Sequence, residues 1–544
     1  MEKYAMVAKT FQGLEEVLAQ ELIRLGAGKI EIGQRMVSFE GDLKLMYQAN
    51  LCLRTALRVL KPIAKFSAED TDELYDRLRD IDWREYFLSP DRTFVVDATV
   101  NSSRFTHSQF VAYRVKDAIV DFFQEKVGRR PSVSVDNADI YINIHIQENR
   151  VTISLDSSGE PLSRRGYKVE QTEAPINEVL AAGILLTAGW NGDVDFLDPM
   201  CGSGTFLTEA AMIAANINPG IYRKHFAFEN WDDFDQELFE DLYNDDSAER
   251  EVNVRIMGGD KDSKAVAIAK RNIRSAKLEN IVSVEWKPME EWTDNPPEGL
   301  LVTNPPYGQR LRPGNMDSLW KMIGTCLKFN FQGWHAWIIG MTDEQFAEIG
   351  LKPSKKVPLH NGSLECSLRE YILFAGRYND MRASGGSIGH SANREENLRG
   401  IARGRHLSDR EWKEETKRYG GSKSRRFRDD REEQGRGRGP KKGGFDSKRG
   451  GFDSKRGGAD SKRGGFSPKS NGEFESRRGG YDSRKGENSS RRGKDSRDKG
   501  YRDKSYKVAD KGPQLTDFQE TRFYEKGMRP RKRPARPIDI DDED

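Results

Sequence analysis

The chain has 544 residues, with 89 Lys and Arg against 87 Asp and Glu, a formal net charge of +2. That length calls for more than one domain, and the near balance of charge conceals local patches of opposite sign. The four cysteines, Cys52, Cys201, Cys326 and Cys366, are scattered without a C-x-x-C pair, which argues against a disulfide framework or a cysteine zinc site. The start MEKYAMVAKTF lacks a signal-peptide core and no apolar run approaches membrane-spanning length, so a cytoplasmic protein is expected.

The first third reads as short helices and strands. Leu14, Val17, Leu18, Leu22 and Leu25 form one helical stripe, the mark of a core face. Further on, NSSRFTHSQFVAYRVKDAIVDFF places Arg104, His107, Arg114 and Lys116 near a helix start, and GRRP adds Arg129 and Arg130. A solvated helix face is the default for such charges; phosphate contact is the alternative. In DIYINIHIQENRVTISL, Ile140, Ile142, Ile144 and Ile146 alternate inward with Tyr141, Asn143 and His145 outward, which predicts a strand with a solvated His145 and then a second strand.

The run VDFLDPMCGSGTFLTEAA from Val194 begins as an apolar strand and ends in Asp198. It turns through Pro199, Cys201, Gly202 and Gly204 and opens a helix at Thr205. Glycines let the backbone approach a ligand while the free N–H groups of the helix start face it. A P-loop is ruled out because no Lys follows Gly204, and a dinucleotide fingerprint because Leu207 stands at the third glycine. A structural turn remains open. In the insertion NPGIYRKHFAFENW, His225 has no second ligand at metal spacing, and Phe226, Phe228 and Trp231 are expected to pack over the sheet and border a base pocket.

A second strand, VRIMGGDKD, ends at Asp260, suited to a ribose diol. The helix SKAVAIAKRNIRSA buries Val266, Ile268 or Ala269, and Ile273 on one face. The strand IVSVEW follows, and LLVTNPPYG ends a fourth at Asn304. Strands alternating with helices predict a mostly parallel, doubly wound sheet with ligands at the carboxyl ends of its strands. In Asn304-Pro305-Pro306-Tyr307 the prolines remove N–H donors, so the Asn side-chain oxygen and the Pro305 carbonyl can accept both hydrogens of one exocyclic amine. That favours a tetrahedral nitrogen whose lone pair faces an electrophile, and Tyr307 can stack on the base.

From Asn379 onward Gly, Arg, Lys, Ser and Asp dominate, and GGFDSKR recurs from Gly443 and Gly450, then as GGADSKR from Gly457. Such a segment buries too little apolar surface to offset its ordering entropy, so disorder is expected to the end of the chain. Phe445, Phe452, Phe466 and Tyr481 among the arginines suit loose RNA contact, with a solubilising tail as the alternative. RPRKRPARP from Arg529 is a denser cationic patch, followed by acidic residues.

At the Asp198 and Asn304 motifs the chain resembles the class I S-adenosylmethionine-dependent methyltransferases of base amino groups. RRGYK from Arg164, EAPINEVLAA from Glu173, NPGIYRKHFAFENW from Asn218 and HNGSLECSLREYIL from His360 narrow the resemblance to THUMP-containing RNA guanine methyltransferases, in particular those making N2-methylguanosine in 23S rRNA. The resemblance covers about residues 1–378. It implies an α/β fold: a ferredoxin-like region over 1–55, a THUMP RNA-binding domain over 56–160 and a Rossmann-like class I methyltransferase domain over 161–378. Its sheet would have seven strands with the last hairpin antiparallel, and the disordered tail would occupy 379–544.

The implied donor is S-adenosylmethionine, held by Asp198, Pro199, Cys201, Gly202, Gly204, Thr205 and Asp260. Cys201 would serve by small size and not as a nucleophile. The implied acceptor is a guanine of large-subunit rRNA, positioned by Asn304, Pro305 and Tyr307, with RNA backbone contacts from Arg104, His107, Arg114, Lys116, Arg129 and Arg130. Two positions depart from the family. The acid after the third strand that holds the adenine amine is replaced by Pro288, Met289 and Glu290, of which Glu290 is the candidate. The basic residue before Glu178 is here Asn177. No metal is required. Where related rRNA enzymes are fused to a second methyltransferase, the low-complexity tail stands instead, so no second catalytic activity is expected. The alternatives are a tRNA guanine methyltransferase, an adenine-amino DNA methyltransferase and a non-catalytic RNA binder in ribosome assembly.

Overall fold

The computed structural model describes residues 2–87, 89–135, 137–173, 175–306, 313–362, 364–374, 402–403 and 409–419. The amino-terminal half runs β1 (Tyr4–Lys9), α1 (Glu15–Arg24), β2 (Gly28–Gly33), β3 (Met36–Gly41), α2 (Leu43–Cys52), β4 (Arg58–Ser67), α3 (Thr71–Arg79), β5 (Thr93–Asn101), α4 (Ser108–Val127), β6 (Ser132–Val133), β7 (Ile140–Gln147) and β8 (Arg150–Asp156). These strands form one sheet in the order β2-β3-β1-β4-β8-β7-β5-β6, joined across its middle by antiparallel pairing of β1 with β4. Helix starts are set by side-chain caps: Asp42 accepts from Leu45 N, and Asp70 from Asp72 N and Glu73 N.

The alternation in β7 buries Ile140, Ile142, Ile144 and Ile146. The opposite row departs from expectation. β7 is an inner strand between β8 and β5, and Asn143 on that row is buried with its Nδ2 3.5 Å from Asp97 Oδ2. His145 is half-buried: burial pushes its pKa down to about 4, aided by the positive charge of Lys9.

The second half runs α5 (Glu178–Thr187), β9 (Phe196–Asp198), α6 (Thr205–Ala214), α7 (Gln236–Asn244), β10 (Ile256–Asp260), α8 (Ser263–Ser275), β11 (Val282–Trp286), β12 (Gly299–Thr303), α9 (Pro313–Asn330), β13 (Trp334–Gly340), α10 (Asp343–Glu348), β14 (Lys355–Asn361) and β15 (Leu364–Ile372). The sheet order is β11-β10-β9-β12-β13-β15-β14, parallel through β13 and antiparallel at β15 and β14. The expected seven strands and terminal antiparallel hairpin are both present. β9 lies between β10 and β12, so chain order reverses beside it, where such sheets open a crevice at their carboxyl ends. Every residue of α6 is buried, which fits its apolar composition on all sides.

The α1 stripe serves both halves: Leu18 and Leu22 join the amino-terminal core, whereas Leu14 and Val17 join that of the second sheet. Gly183 of α5 makes the approach possible, since a Cβ there would lie 2.3 Å from Leu14 Cδ1. Around this joint Glu21 accepts from Arg54 N (2.8 Å) and Thr55 N (3.0 Å). Arg165 donates to Arg54 O (2.5 Å) and faces Glu209 of α6 (3.4 Å), all of them buried.

The insertion after α6 packs elsewhere than expected. Phe226, Phe228 and Trp231 join the amino-terminal core, with Phe228 stacked on Tyr47 of α2 at 4.6 Å between centroids, so they cover that half and not the second sheet. The closely spaced aromatics find their matching rings on α2.

Within the segment expected to be disordered, two elements are described. β16 (Ala402–Arg403) pairs parallel to the edge strand β2, and α11 (Asp409–Tyr419) rests on β4. Trp412 supplies the apolar anchor that the composition of the segment otherwise lacks. The GGFDSKR repeats, their aromatics and the patch at Arg529 lie outside the described residues. No helix among the described residues is long and apolar enough to cross a membrane.

Candidate active site

β9 delivers Asp198 to the crevice, and the turn after it is held from three sides. Cys201 N donates to Gly259 O (2.9 Å), Gly202 N to Asp260 Oδ2 (3.0 Å), and Met200 N to Asp198 Oδ1 (3.2 Å). Gly202 and Gly204 both have positive φ, +52° and +78°. Their surroundings differ. A Cβ on Gly204 would stand 3.0 Å from Ala269 Cβ, so this glycine lets α6 approach α8; a Cβ on Gly202 would meet only Thr172 Oγ1, at 3.7 Å. Gly202 therefore presents the open face of the turn.

Asp198 is buried, and Thr303 Oγ1 at the end of β12 donates to its Oδ1 (2.8 Å). Burial raises its pKa to about 7, with Thr303 and Met200 opposing the shift and the charge of Asp260 adding to it. Asp260 Oδ1 accepts from Asp262 N (2.9 Å), while its Oδ2 takes Gly202 N. A carboxylate has about four lone-pair sites, so acceptor capacity remains at the crevice. Pro199 is buried in the turn, Thr205 opens α6, and burial pushes the Cys201 thiol well up, leaving it a small packing residue. Glu290 sits exposed in a short helical turn after β11, and no contact ties its carboxylate to the glycine turn.

Asn304 follows β12 directly. Its Oδ1 is buried and has no partner among the described residues, and Pro305 beside it is buried. Tyr307 lies outside the described residues.

A residue that the motif reading passed over ties this site together. Asn272 of α8 is fully buried. Its Nδ2 donates to Ser203 O (2.9 Å) in the glycine turn and to Glu170 O (2.8 Å), and its Oδ1 accepts from Val169 N (2.9 Å) and Glu170 N (3.1 Å). One signal was available: Asn272 falls in register with Val266, Ala269 and Ile273 on the apolar face, where a polar residue must find partners. The linker it holds forms one wall of a cleft of about 1010 Å³ that extends from Glu170 to Tyr141 and Lys224. Asn177 caps α5, accepting from Val179 N (3.0 Å), and Glu178 is paired with Lys168 (2.5 Å), so neither stands free at this wall.

The six residues expected to contact RNA do not form one patch. Arg104 and His107 precede α4, whereas Arg129 and Arg130 follow it, roughly 30 Å away at 1.5 Å per residue. Arg104 pairs with Glu69, Arg114 with Asp72 (2.7 Å), Lys116 with Asp117 (2.8 Å) and Arg129 with Asp91. His225 faces Glu229 (3.3 Å), and no cluster of metal-ligating side chains occurs among the described residues.

Comparison with known proteins fits this geometry. Residues 165–370 match the family model of an RMKL-like methyltransferase domain, 68–156 that of the THUMP domain, and 5–60 that of an RlmL ferredoxin-like domain. A Synechocystis protein provisionally named an RNA methyltransferase is 39% identical over 376 residues, which is 68% of this chain and 96% of that one. The ribosomal RNA large subunit methyltransferase K/L of Syntrophotalea carbinolica is 40% identical over 383 residues, 68% of this chain but 53% of the relative, so the chain spans about half of that protein. A provisionally named methyltransferase solved with SAH superposes with a TM-score of 0.62 at 32% identity, covering 69% of this chain and all of the other. A predicted N6-adenine-specific DNA methylase from Listeria monocytogenes gives 0.61 at 30% identity, covering 69% and 97%.

Proposed function

The chain belongs to the family of RNA methyltransferases that join a THUMP domain to an RMKL-like methyltransferase domain, and from that premise we propose that it methylates the 2-amino group of a guanosine in 23S rRNA with S-adenosylmethionine as donor. The observation that carries this reading is the buried Asn304 Oδ1 at the carboxyl end of β12, which has no partner among the described residues. A buried acceptor without a donor is costly, and an incoming amine removes the cost. Asn304 Oδ1 and the Pro305 carbonyl accept the two amine hydrogens, and neither Pro305 nor Pro306 offers an N–H to compete. With both hydrogens engaged, the nitrogen lone pair is drawn out of conjugation with the ring and aimed into the crevice. Tyr307 is assigned the stacking of the base, which reaches the site by leaving its helix.

The residues present fit the donor. The open face at Gly202 and the N–H groups at the start of α6 receive its amino-acid end, Asp260 its ribose diol, and Glu290 its adenine amine. When bound, S-adenosylmethionine supplies an electrophilic methyl group. The protein's own contribution is orientation: Thr303 and Asp198 link the ends of β12 and β9, fixing Asn304 relative to the glycine turn. The amino-terminal half holds the RNA, with His107 and Arg130 at its surface and Arg104, Arg114, Lys116 and Arg129 reachable by exchange of their ion pairs.

The test is label transfer from S-adenosylmethionine to unmodified rRNA and tRNA, with nucleoside analysis of the product. N2-methylguanosine from rRNA is the expected result, and Asn304→Ala loses transfer by roughly 100-fold or more while keeping its affinity for S-adenosylhomocysteine. Normal turnover in that variant refutes the assignment. The Listeria structure's name favours a second reading, an adenine amine as acceptor; label in N6-methyladenine would replace guanine by adenine in the same pocket.

A further inference from the structure

The cleft of about 1010 Å³ is lined by both halves of the body, yet neither the glycine turn nor Asn304 lies in its wall. The amino-terminal sheet contributes Tyr141, the linker between the halves contributes Arg164 and Glu170, and the insertion after α6 contributes Arg223 and Lys224. One end of the cleft adjoins the donor site. The lining reaches Gln171, and the next residue, Thr172, puts its Oγ1 3.7 Å from where a Cβ on Gly202 would stand. Asn272 ties the same stretch of linker to Ser203 of the turn. A strand lying in the cleft therefore leads to the open face of the glycine turn.

The cleft is preformed and carries a surplus of positive charge. Arg223 is buried, and one turn of the chain wraps its guanidinium: Nη1 donates to Pro161 O (2.9 Å) and Arg164 O (2.8 Å), and Nη2 to Ser158 O (3.1 Å) and Glu160 O (3.0 Å). Carbonyl oxygens satisfy its hydrogens without cancelling its charge, and no carboxylate pairs with it among the described residues. Gly166, at φ +100°, presses the linker on the insertion, since a Cβ there would lie 2.2 Å from Tyr222 O. The carboxylates of the lining are already engaged. Asp139 accepts from Thr93 N (2.7 Å), Glu160 meets Arg164 (2.8 Å), Glu170 meets Arg271 (2.5 Å) and Glu178 meets Lys168 (2.5 Å). Lys224 is exposed and has no ion-pair partner among the described residues. A ring is available too: Tyr141 of β7 is half-buried against Gly159, where a Cβ would stand 3.5 Å from its Cε2.

A duplex is read across two successive minor grooves, over about 16 base pairs, which a concave cleft of this size does not offer. Unstacked nucleotides fit it, because phosphates seek the surplus cations and any base can lie on a ring. We propose that the cleft binds the unpaired RNA strand flanking the target nucleotide, with Lys224 and Arg164 on its phosphates and Tyr141 under one base. Arg164 is released for this by exchange of its exposed pair with Glu160. The assignment deepens the RNA substrate proposed above and rests on that reading.

The full chain is titrated over a range of KCl with a short single-stranded rRNA oligomer, with the same sequence as a duplex, and with GMP. S-adenosylhomocysteine affinity is the check on the fold of each variant. The single strand should bind roughly tenfold or more tighter than the duplex. Lys224→Ala removes one phosphate contact, so the slope of log affinity on log salt should fall by about 0.7, or about fivefold in affinity near 0.1 M KCl. Tyr141→Ala should weaken binding roughly tenfold without changing the slope, and Tyr141→Phe should restore it. Glu160→Gln frees Arg164 and should tighten binding by up to about fivefold, a gain that damage to the fold does not imitate. Unchanged affinity in both Lys224→Ala and Tyr141→Ala overturns the proposal, and so does equal affinity for the duplex. GMP binding as tight as the oligomer's would make this a free-nucleotide site and overturn it as well. Oligomer binding that depends on Lys224 and Tyr141, but without methyl transfer by the full chain, would sink the proposed function and leave the cleft assignment standing; methyl transfer to rRNA with no loss in either variant would do the reverse.

Discussion

Replacing Asn272 by Leu keeps the branched shape of the side chain and its heavy-atom count and removes four hydrogen bonds that join α8, the glycine turn and the linker. An unsatisfied buried backbone group costs about 1–3 kcal/mol. The Ser203 carbonyl is counted in full because Ser203 is buried, whereas the linker groups can turn partly to water, Val169 being 63% exposed. The expected destabilisation is therefore about 2–3 kcal/mol, measured by urea unfolding. The more specific effect is on binding. With the Ser203 tie gone, the turn that receives the donor loses its fixed geometry, and S-adenosylhomocysteine affinity should fall about tenfold, or about 1.4 kcal/mol, in a calorimetric titration. Asn272→Asp should be worse than Leu, since it sets a carboxylate oxygen against the Ser203 and Glu170 carbonyls. A stability change below about 0.5 kcal/mol together with unchanged affinity would refute the reasoning, because that is the effect of an ordinary surface substitution.

The two glycines of the turn should separate by phenotype: Gly204→Ala, strained by its φ and pressed on Ala269, lowers stability, whereas Gly202→Ala mainly weakens S-adenosylhomocysteine binding. Asp198 has a raised pKa of about 7 in the folded state against 3.8. The folded protein then holds a proton that the unfolded chain has released, so this group's contribution is fully present below pH 4 and is lost as pH rises to 7, by up to about 1.4 kcal/mol per unit. Unfolding of the ligand-free protein against Asp198→Asn over pH 5–8 should show the wild type losing ground as pH rises; parallel curves would contradict the assignment. His145 works in the opposite sense, its folded pKa of about 4 lying below the ordinary 6.5. Its contribution is present above pH 6.5 and lost as pH falls toward 4, so His145→Gln should flatten the acid limb of the stability curve.

The second sheet was legible because three of its seven strands lead into a residue of distinct chemistry, Asp198, Asp260 or Asn304, and the period of the intervening helices is clean. What stayed hidden depends on tertiary partners. Asn143 and His145 alternate as a solvated row would, yet on an inner strand that row is buried at Asn143 and half-buried at His145. Phe226 and Phe228 announced packing but not against which half, because Tyr47 lies far away in sequence. The basic residues around α4 gave their charges and not the carboxylates opposite them, which come from other loops and helices. Composition pointed to disorder after Asn379, and a single tryptophan with a docking site on β4 was enough to hold one helix.

The ionic joint between the halves bears on how this protein can be divided. Arg54 comes from the amino-terminal half, Glu209 from α6 and Arg165 from the segment between them, and burial raises the Glu209 pKa while Arg165 opposes that shift. Cutting the chain just after Arg165 would strip Glu209 of its counter-ion and leave Arg54 and Arg165 without the fold that shields them, a loss of the kind that costs several kcal/mol. The two halves are therefore separable by topology and inseparable by electrostatics. A chimera that borrows its RNA-holding half from a relative has to import residues on both banks of the joint, and a catalytic fragment expressed alone would need Glu209 made neutral before it could fold.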